Sequence, residues 1–273
     1  MRRSLLGLIL IPFFIECSNN NPPKNIPLES SIFQERVSLN EAKKDSFPFS
    51  SKEQYYIFVE NFIVDNFEKD VSEVYNFFNI SLDFPSYFFT KVNDELCFRC
   101  EGAHYFSKSK KISFNAYPSE EMFIRYRDYH KRYSENFQAF FEQRLHYYIK
   151  HEAAHYFHHM ESDRLGIENS FENNDVQTDE DILCSNLVVE GVADYMAYLG
   201  QIPPSTKLIN PKHLLCDTNL QVYNLYSAGF YLVQPILDKD FFKGIRVLSE
   251  YPLNKNSLKS LKRYQNNLLK EMN

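Results

Sequence analysis

The chain has no tryptophan and only 7 glycines in 273 residues. So few glycines argue against Gly-rich phosphate loops and against turn-dense all-β folds. An excess of positive charge is also missing. Lysine and arginine number 30 against 36 acidic residues, a net charge of −6. That balance lacks the basic footprint of nucleic-acid binding, so no nucleic acid partner is expected. Hydrophobic residues at 44% and charged residues at 24% exclude a disordered or collagen-like chain. Long apolar runs are absent except near the N-terminus, from Leu5 to Ile15, and that run is too short to span a bilayer comfortably. Aromatics are plentiful, with 25 Phe and 19 Tyr, and the length suffices for a real core.

Arg2 and Arg3 precede the Leu5–Ile15 run, and Cys17 follows it, leading into Ser18-Asn19-Asn20-Asn21-Pro22-Pro23. This arrangement resembles a bacterial lipoprotein signal: basic start, short apolar run, a cysteine to be lipidated and a polar tether. Glu16 stands where a small residue is usual, so an ordinary secretion signal and an uncleaved anchor are the alternatives. The resemblance implies a signal peptide over 1–16, a lipidated Cys17 with tether over 17–50, and a folded domain over 51–273. The chain is then extracytoplasmic, on the cell envelope, and touches the membrane through its lipid anchor only. Export leaves Cys97, Cys100, Cys184 and Cys216 in an oxidising compartment, where two disulfides can form in three connectivities. Cys97-x-x-Cys100 lacks a second such pair for zinc. A structural disulfide or simple thiols is the expectation there.

Apolar residues recur at helical spacing from Lys52 to Phe78, through Tyr56, Val59, Phe62, Ile63, Phe67, Val71, Val74, Phe77 and Phe78. Shorter, strand-like patterns follow at 85–92 and 97–106. Lys111 to Tyr117 alternates polar and apolar and stops at Pro118, which reads as an edge strand. Residues 120–161 read as helix in two segments, 161–181 as a solvated acidic loop, and 182–199, 220–237, 241–248 and 258–272 as further helices. The expected class is α+β, mostly α, with a small sheet preceding the main helices.

His151-Glu152-Ala153-Ala154-His155 places two imidazoles four apart on a helical segment, so both can point at one ion. Glu152 beside the first of them is a carboxylate placed to take a proton from water. Leu187 to Leu199 is apolar except for Glu190 and Asp194, again four apart and with no lysine or arginine on the segment. Two carboxylates on a buried helix cost several kcal/mol unless paired. A dication with its histidine ligands would pair them: Glu190 as the third ligand, Asp194 accepting the N–H of a ligand histidine. Gly191, costly in mid-helix at about 1 kcal/mol, would permit close approach of two helices beside the metal.

His151 to His155 together with Glu190-Gly191-x-Ala193-Asp194-Tyr195 resembles the gluzincin zinc metallopeptidases, nearest to bacterial peptidase-MA-like families. The resemblance implies a helical zincin-like catalytic domain whose edge strand, here Lys111 to Tyr117, binds extended peptide. It also implies Zn2+ held by His151, His155 and Glu190, with Glu152 as general base and acid. Tyr223 to Phe230 is similar to the segment in related peptidases whose tyrosine donates to the developing oxyanion, which points to Tyr226 in preference to Tyr223. Glu161 stands where the third histidine of a metzincin would be. The expected function is a zinc-dependent peptidase of the cell envelope, acting on a peptide or protein substrate. The alternatives are a catalytically inactive envelope lipoprotein on the same zinc scaffold and a helical structural lipoprotein without metal.

Overall fold

The computed structural model describes residues 49–91, 102–117, 123–124, 137–167, 179–203 and 225–273. The lipoprotein-type signal, Cys17, Cys97, Cys100, Cys216 and Tyr223 lie outside them. The fold is α+β and mostly helical, with a three-stranded sheet ahead of the main helices.

Helix α1 spans Lys52–Phe78 without a break. Ser51 caps it, its hydroxyl accepting from the Gln54 N–H. Asn79 ends it in the left-handed region at φ 55°, where Asn is tolerated better than most residues. Tyr55, Val59, Ile63, Phe67, Val71, Val74 and Phe78 form its buried stripe. Phe77, read above as part of that stripe, is 55% exposed.

Strands β1 (Ser86–Lys91), β2 (Ala103–Phe106) and β3 (Lys111–Tyr117) form a sheet of order β1-β3-β2. β1 runs parallel to β3, and β2 antiparallel to it. This corrects the reading of Lys111–Tyr117 as the edge: β3 is the central strand. Pro118 follows the last residue of β3 in sequence, so it removes no donor from within the strand. The alternation was also misleading, because Ser113 is buried like its neighbours Ile112 and Phe114 and donates to Thr90 Oγ1 at 3.0 Å. Tyr87, Ile112 and Phe114 face α1, where Phe67 meets the Tyr87 ring at 4.3 Å.

Helix α2 (Phe137–Arg164) is one element and crosses α1. Asp70 and His146 pair across that contact at 2.6 Å, and Lys150 meets Glu73 at 2.8 Å. The acidic loop is shorter than read from sequence. Glu161 and Asp163 belong to the last turn of α2, and residues 179–181 already open α3 (Asp179–Ala197). Both acids have partners that stabilise the turn: Glu161 takes two hydrogen bonds from Arg164, and Asp163 takes Lys110 at 2.7 Å.

Helix α4 (Leu225–Leu237) packs along α3. Helices α5 (Phe241–Glu250), α6 (Lys255–Leu258) and α7 (Leu261–Glu271) close the domain. Pro235 lies inside α4 and has no N–H for the Tyr231 carbonyl one turn back. Gln265 on α7, 1% exposed, supplies the missing donor: its Nε2 reaches Tyr231 O at 2.7 Å and Leu232 O at 2.8 Å. Much of the aromatic content is spent between elements, as where Phe241 stacks on Phe78 at 4.3 Å and also meets Phe157. No helix among the described residues is long and apolar enough to cross a membrane.

Candidate metal centre

Helix α2 carries His151 and His155 on the face turned to α3, and α3 carries Glu190 toward them. His151 Nε2 lies 3.0 Å from Glu190 Oε2 and 3.1 Å from His155 Nε2, and His155 Nε2 lies 3.6 Å from the same Glu190 oxygen. The donor atoms of a tetrahedral zinc, each at about 2.0–2.2 Å from the ion, stand about 3.4 Å apart. The three observed edges bracket that spacing. All three residues are buried, and together they form a group that could hold a metal ion. The imidazole planes are near perpendicular, at 89°, so their Nε2 atoms approach one point from different sides.

Asp194 lies one turn beyond Glu190. Its Oδ1 sits 3.1 Å from His151 Nδ1, where sequence spacing expects it. The same oxygen accepts from the Tyr147 hydroxyl at 2.6 Å, and that hydroxyl is 3.0 Å from His151 Nδ1. Glu152 is 2% exposed on α2. Tyr226, in the first turn of α4, brings its ring to 6.1 Å from that of His151. Helices α2, α3 and α4 thus bring His151, Glu152, His155, Glu190, Asp194 and Tyr226 together, while Cys17 lies outside the described residues.

The electrostatics follow from crowding. Burial opposes charge on His151, but hydrogen bonds to Asp194 and Glu190 outweigh it and push its pKa up to about 10. Burial likewise opposes ionisation of Glu190, yet His155 and His151 hold its carboxyl well below the usual range. Cationic charge held between carboxylates is the arrangement a bound dication would replace. Burial and the carboxylates of Glu190, Asp194 and Glu152 keep the Tyr226 phenol protonated far above its ordinary range, so it remains a donor.

Gly191 serves the close approach expected of it, but against α4. A Cβ there would lie 2.4 Å from the Gly229 carbonyl carbon, and a Cβ on Gly229 would lie 2.3 Å from Leu187 O. The pair sets Glu190 and Tyr226 beside each other. His158 and His159 are buried, and His159 Nδ1 meets the Tyr105 hydroxyl at 2.7 Å. Cys184 is buried on α3.

Two residues near the site escape sequence pattern. Tyr147 was recoverable, since it precedes His151 by four residues on the same helix face. His104 on β2 was not, because only the packing of strand on helix brings it within electrostatic reach of Glu152, His155 and Glu190. Compared with known proteins, the chain matches no family model, no curated protein and no solved structure.

Proposed function

We propose that this protein is a zinc-dependent peptidase of the gluzincin type, held at the bacterial cell envelope by a lipid on Cys17. The observation that carries the catalytic part is the convergence of His151, His155 and Glu190 with the buried Glu152 between the two histidine positions. Two imidazoles and one carboxylate suit zinc better than magnesium or calcium, which prefer oxygen donors. A zinc ion held by His151, His155 and Glu190 would supply a Lewis acid able to polarise a scissile carbonyl and acidify water. Glu152 takes the proton of the attacking water and returns it to the leaving amine. Tyr226 donates to the oxygen on which negative charge develops. Strand β2, the sheet edge packed on α2, is the place for an extended peptide to add as a further strand.

The test is zinc content and peptide hydrolysis by the full chain and by Glu152→Gln. The expected result is one zinc per chain in both proteins, with hydrolysis falling by about 10²–10⁴-fold in the variant. Hydrolysis retained by a zinc-loaded Glu152→Gln protein would overturn the mechanism. Absence of hydrolysis from a zinc-loaded wild type would favour the binding-protein alternative.

A further inference from the structure

We propose that Tyr147 is a positioning residue of the metal centre: its hydroxyl holds Asp194 against His151 and so fixes which imidazole nitrogen faces the metal. This rests on the reading of His151, His155 and Glu190 as ligands. Tyr147 Oη, His151 Nδ1 and Asp194 Oδ1 form a closed triangle with sides of 2.6, 3.0 and 3.1 Å. A phenol has one proton, and it goes to the carboxylate, the shortest contact and the stronger acceptor. The Tyr147 oxygen is then left as an acceptor. Both oxygens facing His151 Nδ1 accept, so that nitrogen carries its proton and shares it between them. When zinc is bound, Nε2, which lies toward Glu190 and His155, is the nitrogen that supplies its lone pair.

The hydroxyl also joins two helices. Tyr147 and His151 lie on α2 and Asp194 lies on α3, so the phenol braces the carboxylate across the helix contact. Removing the hydroxyl leaves Asp194 Oδ1 with one donor instead of two and lets the carboxylate turn. His151 then loses one of the two acceptors that set its tautomer. Hydrogen-bond partners behind a ligand histidine typically hold 10–100-fold in metal affinity.

The experiment uses the full chain purified in detergent, with zinc as the probe. Zinc dissociation constants are measured by chelator competition for wild type, Tyr147→Phe, Asp194→Ala and the double variant. The expected result is a constant about 10–100-fold larger for Tyr147→Phe. In the Asp194→Ala background the same substitution should change it by less than about threefold, because Tyr147 acts through Asp194. Unchanged affinity in Tyr147→Phe, or additive effects in the double variant, would overturn the proposal. A second measurement needs no substitution: imidazole nitrogen shifts of the zinc-loaded wild type should show His151 protonated at Nδ1. Coordination through Nδ1 would overturn the proposal even if a variant failed to fold. A wild type that binds no zinc refutes the metal reading itself, whereas zinc binding that Tyr147→Phe leaves intact refutes the role of Tyr147 alone.

Discussion

Gly191 and Gly229 meet backbone to backbone between α3 and α4, with no space for a side chain on either. Each is flanked by the site: Glu190 precedes Gly191, and Tyr226 lies one turn before Gly229. Alanine at either position gains about 1 kcal/mol of helix propensity. It also drives a methyl group into a carbonyl that cannot yield as a side chain could, at a cost of roughly 1–3 kcal/mol or more. The clash wins. Gly191→Ala and Gly229→Ala should each lower the thermal midpoint and weaken the proposed zinc binding, because the helices must separate and Glu190 moves with α3. Thermal melts and chelator competition measure both, and a midpoint at or above wild type would show that the helices can part freely.

That contact also marks where sequence reading stops. The cluster of His151, His155 and Glu190 was legible because helical spacing is local: i and i+4 on α2, and i and i+4 on α3, each define a face without tertiary knowledge. Asp194 behind His151 was legible for the same reason. Gly191 could be read as a close approach, but not its partner, since nothing local to position 191 points to position 229. The place of β3 failed on a related ground. Strand alternation reports one buried face and says nothing about how many neighbours pair with the strand, and Ser113 broke even that signal by finding a buried hydroxyl partner in Thr90. The long helices were found, α1 with both its ends, but the end of α2 and the start of α3 were not. Glu161 and Asp163 looked like loop because acidic residues suggest solvent, whereas Arg164 and Lys110 pair with them in place.

Pro235 and Gln265 form a second pair that neither local pattern foretells. The proline removes the donor that the Tyr231 carbonyl would have used, and the Gln265 amide replaces it from another helix. Gln265→Leu conserves much of the volume but leaves buried carbonyls without that donor. The expected loss is about 1–3 kcal/mol. Pro235→Ala restores the α4 donor, so it should recover part of the loss in the double variant. Chemical denaturation of the four proteins checks this, and an additive cycle would show that Gln265 acts through packing alone.

His158 supplies a stability switch with acid. It is buried on α2 with His155 and His159 nearby, and burial, reinforced by those two imidazoles, pushes its pKa down to about 3. An unfolded histidine titrates near 6.5. The folded state therefore refuses a proton that the unfolded state accepts, and stability is lost as pH falls from about 6.5 toward 3. Above that window both states are neutral at this residue and it contributes no pH dependence. Within it, each pH unit costs up to about 1.4 kcal/mol, or about 1.6 kcal/mol between pH 6.5 and 5, a range in which most exposed carboxylates are still ionised. His158→Leu removes the titrating group, so its unfolding free energy should fall less than that of wild type across those pH values. Denaturation at pH 7, 6 and 5, with and without a metal chelator, separates this effect from acid release of metal at His151 and His155. Parallel pH profiles for the two proteins under chelation would mean that His158 accepts its proton in the folded state.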